Sequence, residues 1–327
     1  MRIWFSGEVK RFVYTVNEIC KNGEPLPLQT DGHLRVVFIG TGAAFAKRRR
    51  QSNMLIIQGD HHVLVDCGTQ GPLALEDIGL DVLQVKCYLP THSHADHIGG
   101  FEEIGLMNGY LSKNSKPEMI ILSDYEEDLW AKSLAGEMEY CESKQGRPLR
   151  LADFFKVQRP SADQADGGMV WNYQHGPIEI SIMRTRHFPD TAVRIEESQW
   201  CSGVFINRRV WISGDTMFEP EYPLKYAKIA ELMFHDCQLF QGGIHASYNE
   251  LMTLPESVRQ KMFLYHYGDN WDQPASWVKK WMVLPVTRSR TVFSVGRSNR
   301  WLTTFPDFRR ISNLSLPQVG FIPRPTI

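Results

Sequence analysis

The stretch Thr91–Gly100, THSHADHIGG, gathers His92, His94, Asp96 and His97 into six consecutive positions. It follows KCYLP (86–90), a short apolar run that reads as a strand, so the cluster falls in the turn leaving that strand. Imidazoles and a carboxylate alternating through a turn can aim several lone pairs at one point. That donor set suits zinc or another divalent transition metal. A single histidine is more often a satisfied structural residue than a ligand; three with an aspartate in this register are not. Gly99 and Gly100 are expected to let the backbone turn tightly into a following helix.

Outward from this turn, the chain reads as strands alternating with helices. RVVFIG (35–40), NMLIIQ (53–58) and HVLVD (62–66) are β-branched runs between polar turns, and IEISIM (178–183), SGVFIN (202–207) and RVWISGD (209–215) repeat the pattern, with NRR (207–209) as a hairpin turn. LMFHD (232–236) and KMFLYH (261–266) are two more strands. Helices are expected over 125–142, with Leu129, Trp130 and Leu134 on one face, and over 247–260. Residues 158–172 read as a polar loop, 21–32 as a connector after a short strand or helix, and the Pro-rich end from 313 as a surface tail. This is an α/β layered pattern with no linker strong enough to divide it. A single domain over 1–327 is expected, its core at about 35–295 behind a short N-terminal extension.

The chain has 327 residues, 36 basic and 37 acidic side chains, and 43% hydrophobic residues. A chain of that size needs no disulfide framework to bury a core. Disorder, collagen-like repeats and coiled coil are excluded, and the net charge of -1 argues against broad electrostatic attachment to nucleic acid. Cys20, Cys67, Cys87, Cys141, Cys201 and Cys237 form no CxxC pair, which argues against a thiolate zinc site or a redox pair and for free, mostly buried thiols. With no signal-like segment and no long apolar run, a cytoplasmic location without membrane attachment is expected.

The pattern HxHxDH over His92–His97 resembles the signature of the metallo-β-lactamase superfamily, and the motifs of that family recur here in order over about 35–270. HVLVDCG supplies Asp66, which would orient the ligand turn. RTRHFPDT supplies His187, WISGDT supplies Asp215, and FLYHYGD supplies His266. The resemblance implies an αββα four-layer sandwich with two divalent metal ions at one edge, zinc first and manganese as the alternative. On that reading His92, His94 and His187 hold one ion, Asp96, His97 and His266 hold the other, and Asp215 bridges them. An aspartate at 215 separates the chain from β-lactamases that use cysteine there. Two such ions generate a hydroxide and stabilise the attacking and leaving oxygens of a displacement at phosphorus, so no GxSxG-type nucleophile is needed.

Within the superfamily, FHDCQLFQGGIHASYNEL (234–251) resembles the tRNase Z branch, where an acidic residue and a later histidine pair beside the metals to protonate the leaving oxygen. Carried over, Asp236 orients His245 as general acid, and Asp96 joins the catalytic set; His235 is expected to be structural. FIGTGAAFAKRRRQSN (38–53) resembles the same branch, down to Asn53. The tRNA-gripping arm of that branch lies between the third and fourth motifs, whereas here His187 to Asp215 leaves room for little beyond two strands. The long insertion lies at 98–186, and its helix is mixed in charge. The design is similar to metallo-β-lactamase-fold cyclic-nucleotide phosphodiesterases, including phage enzymes that destroy nucleotide second messengers. The expected function is a dinuclear phosphodiesterase hydrolysing a small, cyclic nucleotide by attack of metal-bound hydroxide, with no stable nucleic-acid complex. The alternative is a tRNase Z-like RNA 3′-processing endonuclease without its arm. A sensing protein without turnover and a lactonase-like hydrolase are the remaining readings, and a homodimer is a family-level expectation. One arginine of Lys47–Arg50 is a candidate for a substrate phosphate, and Tyr267 with Trp271 for a base-stacking wall.

Overall fold

Strands that are apolar on both faces need cover on both faces, and that requirement sets the layering here. The computed structural model describes residues 13–19, 25–112, 115–141, 146–163, 170–271 and 290–296. Its strands are β1 (Val13–Ile19), β2 (Leu34–Gly40), β3 (Asn53–Gln58), β4 (His61–Val65), β5 (Cys87–Leu89), β6 (Glu118–Ile120), β7 (Lys156–Gln158) and β8 (Ser161–Asp163). They continue with β9 (Val170–His175), β10 (Ile178–Arg184), β11 (Ser202–Ile206), β12 (Val210–Ile212), β13 (Leu232–Asp236), β14 (Met262–Tyr265) and β15 (Arg290–Gly296). An eight-stranded sheet runs β1-β15-β2-β3-β4-β5-β6-β7, and a seven-stranded sheet runs β14-β13-β12-β11-β10-β9-β8.

Alternation along the second sheet shows how the layers form. Val210, Ile212, Leu232 and Phe234 enter the core between the sheets, while Trp211 and Met233 face a separate cluster with Tyr226, Leu251 and Val258 from short helices. On the first sheet, Ala74 and Leu75 of helix Gly71–Glu76 and Phe101 and Ile104 of helix Phe101–Leu111 provide the matching outer cover. The result is the αββα sandwich. Its centre is an aromatic cluster in which Phe234 lies 4.8 Å from Phe38 and 4.9 Å from Phe293, ring centre to ring centre.

Parallel pairing decides where chemistry can sit. β4 with β5, and β12 with β13 and β14, run parallel, so the segments that follow them emerge at one edge of the sandwich. Asp66, the turn at 91–100, Asp215, Asp236 and His266 all lie at those carboxyl ends, the usual place for a site in a sheet of this kind.

Several sequence expectations need correction. Residues 158–172 contain β8 and the start of β9; Ser161, Ala162 and Asp163 are exposed on an edge strand, whose polar composition hid it. The helix expected over 247–260 is two pieces, Tyr248–Leu251 and Glu256–Arg259, because Pro255 disfavours helical backbone at the residue before it. The helix expected over 125–142 starts at Ser123 and contains a π-helical turn at Trp130–Leu134, with Leu129 and Leu134 buried as expected. Residues 98–186 are no appendage, since they supply β6 to β10. Asn207 and Arg208 both have positive φ, which suits the twist of a tight hairpin at NRR. The connector leads in from β1, a strand, and the tail from 313 and Cys20 lie outside the described residues. Among the described residues, no helix is long and apolar enough to cross a membrane.

Candidate metal centre

Asp66 directly follows β4 with φ 62, a left-handed conformation that costs a non-glycine residue energy and persists only where its surroundings hold it. Here the carboxylate accepts hydrogen bonds from the Thr91 backbone N–H (2.7 Å), the Thr91 hydroxyl (2.8 Å) and His97 Nδ1–H (2.7 Å). One buried side chain therefore fixes both ends of the ligand turn. Backbone bonds from Cys67 to His97 and from Thr69 to Ala95 dock the two loops on each other. Gly99 and Gly100 form the turn into helix Phe101–Leu111, but with ordinary helical φ that does not itself require glycine. Their small size serves close approach instead: a Cβ on Gly99 would lie 2.3 Å from Thr69 Oγ1, and one on Gly100 2.8 Å from Cys67 Sγ. Asn53 closes the same assembly, accepting from Gly68 N–H at 2.9 Å.

The structure brings every sequence-nominated ligand to one point. His92, His94 and His187 form one convergent set, and Asp96, His97, Asp215 and His266 form another. The remote nitrogens are committed outward. His187 Nδ1–H donates to the Ile244 carbonyl (2.8 Å) and His97 Nδ1–H to Asp66, so both rings turn Nε2 lone pairs inward. Phe188 stacks on His94 at 4.3 Å and braces it. Neither Phe188 nor the Ile244 carbonyl carries a sequence signal, since packing and backbone contacts are set by the fold.

Asp215 tests whether cations fit. It is 1% exposed, and neither carboxylate oxygen has a hydrogen-bond partner. Yet Oδ2 lies 3.1 Å from His97 Nε2, 3.2 Å from His266 Nε2, and 3.9 Å from the Nε2 atoms of His92 and His187. A buried, unsatisfied carboxylate costs several kcal/mol, which positive charge at the centre of these donors would offset. Zinc bonds of about 2.0–2.1 Å in a tetrahedron place neighbouring donors about 3.3 Å apart. His97 Nε2 to Asp96 Oδ2 (3.3 Å) and His94 Nδ1 to His187 Nε2 (3.2 Å) match that spacing. The donor set fits a divalent transition metal pair.

Electrostatics agree. Burial drives His92 well below the ordinary histidine value and His187 to about 3, so both present lone pairs. Burial opposes charge on His97 too, but Asp215, Asp96 and Asp66 outweigh it and hold the ring well above its ordinary value. That half of the centre calls for positive charge.

Beside the donors lies a second constellation. Asp236 is fully buried and accepts from His245 Nδ1–H (2.9 Å), Thr216 N–H (3.1 Å) and the Ser213 hydroxyl (3.4 Å). His235 is buried, with Nδ1 2.9 Å from the Asp236 backbone carbonyl and 3.0 Å from Asp236 Oδ1. His245 also falls within ligand distance of His187 and Asp215, but its Nδ1 is taken by Asp236. Burial lowers the His245 pKa, while the Asp236 hydrogen bond and the Asp215 and Asp236 charges outweigh it and raise the ring above its ordinary value.

Two expectations fail. Tyr267 is buried and Trp271 lies 5.9 Å from it, and their faces are covered by Arg49, whose guanidinium sits 4.3 Å from Trp271 and 5.6 Å from Tyr267. They form no open wall for a base. The arginines of the basic run are also engaged, Arg50 with Asp77 at 2.8 Å and Arg48 with Asp269. Cation–π packing and ion pairing absorb the charges expected to reach substrate.

Comparison with known proteins places this geometry. The family profile of the anti-Pycsar protein Apyc1 matches residues 34–286. The anti-Pycsar protein Apyc1 of Bacillus phage vB_BsuM-Goe3 is 35% identical over 245 residues, covering 72% of this chain and 90% of its own. That of Paenibacillus harenae is 35% identical over 243 residues, covering 74% and 92%. Among solved structures, the metallo-β-lactamase fold protein YhfI from Bacillus subtilis aligns with a TM-score of 0.53 at 17% identity, over 72% of this chain and 87% of its own. The short form of human tRNase Z aligns with a TM-score of 0.52 at 19% identity, over 72% and 93%.

Proposed function

Since the chain belongs to the anti-Pycsar protein Apyc1 family and is a metal-dependent hydrolase of metallo-β-lactamase fold, we propose that it hydrolyses a small nucleotide phosphodiester, a cyclic nucleotide first of all. The observation that carries this reading is the Asp236–His245 pair, 2.9 Å apart, beside the donor cluster. A carbonyl hydrolase has less need of such a proton donor than an enzyme that must expel a ribose alkoxide.

His92, His94 and His187 would hold one ion and Asp96, His97 and His266 the other, with Asp215 shared; zinc is the first candidate and manganese the second. Bound there, a pair of divalent ions supplies an acidified water and neutralises charge on the phosphoryl oxygens. Asp66 keeps the ligand turn and the His97 ring in place throughout. Asp236 holds His245 through Nδ1, which leaves Nε2 to carry the mobile proton. As the phosphorus–oxygen bond to the ribose breaks, the departing oxygen takes that proton, and His245 is left neutral with Asp236 still ionised. Asp96 acts here as a ligand, since its Oδ2 is shared between His97 and His266.

Substrate size follows from what lies between His187 and Asp215: a short 3₁₀ turn, Ile195–Glu197, then β11 and β12. Nothing there could grip a tRNA. Free thiols at Cys67, Cys87, Cys141, Cys201 and Cys237 fit a cytoplasmic setting. The test is a panel of cyclic mono- and dinucleotides, bis-p-nitrophenyl phosphate, a precursor tRNA and a thioester, with zinc or manganese added. A cyclic nucleotide should be cleaved faster than precursor tRNA at matched concentration. Efficient tRNA maturation would promote the endonuclease reading, and turnover of the thioester alone would end the phosphodiesterase one.

A further inference from the structure

β5 enters the metal centre at its carboxyl end, and a second donor cluster lies at its other end. Cys87 opens β5, and Glu118 is its registered neighbour on the parallel strand β6, so their side chains share one face of the first sheet. His175 closes β9 of the opposite sheet. The Cys87 sulfur, a Glu118 carboxylate oxygen and a His175 nitrogen all lie within 4.8 Å of one another. We propose that Cys87, Glu118 and His175 form a second, structural site for a borderline-soft transition metal such as zinc, which ties the two sheets together at the end remote from the hydrolytic centre.

Spacing supports a metal over an ion pair. His175 Nδ1 is 3.4 Å from Glu118 Oε2, longer than a charge-assisted hydrogen bond but close to the edge, about 3.3 Å, of a tetrahedron around zinc. Two donor separations of the main centre, 3.3 and 3.2 Å, are similar. Lys156 Nζ (2.6 Å) and Gln158 Nε2 (3.3 Å) both bind Oε1, so they orient the carboxylate and leave Oε2 to the cluster. Cys87 is a free, buried cysteine, and thiolate, imidazole and carboxylate together select zinc-like ions over magnesium or calcium. Three protein donors leave one corner of the tetrahedron to water; His61, edge-on to His175 at 5.3 Å between ring centres, is engaged by Asp60 instead. The ligands come from three separate strands, so a search for CxxC spacing could not find them.

Cobalt titration of the full chain isolates this site, because the main centre offers only nitrogen and oxygen donors. A near-ultraviolet thiolate-to-cobalt charge-transfer band should grow in with about one equivalent per chain. It should vanish in Cys87→Ser and in His175→Ala, the latter a change at a partly exposed strand end. The same two variants should lose about one equivalent of zinc by elemental analysis. The band should persist in Asp215→Ala, which disables the hydrolytic centre, so failure of the functional proposal leaves this test intact. Absence of the band with excess cobalt, or its survival in Cys87→Ser, would overturn the site.

Discussion

Replacing His245 by Ala removes the proposed proton donor while sparing the donors at the metal centre. The size of the effect depends on the leaving oxygen. A ribose alkoxide needs a proton, so a nucleotide substrate should lose about 10²–10⁴-fold in kcat/KM, the range of a general acid. At about 1.4 kcal/mol per decade, that is roughly 3–6 kcal/mol of transition-state stabilisation. p-Nitrophenolate departs unaided, so bis-p-nitrophenyl phosphate should lose far less. Asp236→Asn refines the test. Asp236 Oδ2 accepts from two donors, His245 Nδ1–H and Thr216 N–H, while Oδ1 faces the Ser213 hydroxyl and His235. An amide can keep an oxygen on both donors but brings no charge, so the His245 bond is no longer one to an ionised group, a difference of about 1.5–3 kcal/mol at most. A loss of about ten- to a hundredfold on the nucleotide is expected, again with little change on the activated ester. Steady-state kinetics on both substrates, with elemental analysis of each variant, decide it. Equal losses on both substrates, or lost metal in His245→Ala, would refute the reasoning and make His245 a ligand or a structural residue.

Other perturbations follow from the same geometry. Asp66→Asn places an amide against His97 Nδ1–H and Thr91, so metal affinity should fall about 10–100-fold in a competition titration with a chelating dye; unchanged affinity would strip Asp66 of its orienting role. Burial lowers the His62 pKa to about 4, so the folded chain resists a proton that the unfolded chain accepts near its ordinary value of 6.5. Stability from this residue is therefore complete above that value and declines as pH falls toward 4, by up to about 3 kcal/mol. In His62→Gln the denaturation midpoint should depend less steeply on pH over that window, and an identical slope would contradict the assignment. Phe234→Ala should cost about 3–5 kcal/mol in urea unfolding, because the ring is fully buried between Phe38 and Phe293; a cost under about 1 kcal/mol would mean that the two sheets close over the gap.

Much of the centre was legible because its donors are local. His92, His94, Asp96 and His97 announce themselves within one turn, and His187, Asp215 and His266 each end a recognisable apolar strand. What the sequence concealed was set by tertiary packing. The left-handed backbone of Asp66 and His266 leaves no mark in composition, since neither is glycine or asparagine. Tyr267 and Trp271 looked available to a base because apolar faces beside a ligand attract that reading, but Arg49 from a distant loop fills them. β8 was missed because an exposed edge strand carries no alternation. Cys87, Glu118 and His175 looked unrelated until β5, β6 and β9 brought them together.

Asp215 and Asp236 show how one sheet edge can hold both a candidate metal ligand and the partner of the proposed proton donor. Both are buried aspartates that follow or end strands of the second sheet, and burial alone would push both toward the neutral acid. Their neighbours decide otherwise, in different ways. Asp215 is surrounded by imidazole nitrogens that face it without hydrogen-bond geometry, so its charge is best balanced by cations shared with those nitrogens. Asp236 is surrounded by donors that each bring a proton, so its charge is balanced in place and it has nothing to offer a metal. The ring that joins the two environments is His245, 2.9 Å from Asp236 and 3.9 Å from Asp215. A group held by a satisfied anion, at the border of a site that demands positive charge, is suited to keep a proton until an oxygen leaving that site requires it.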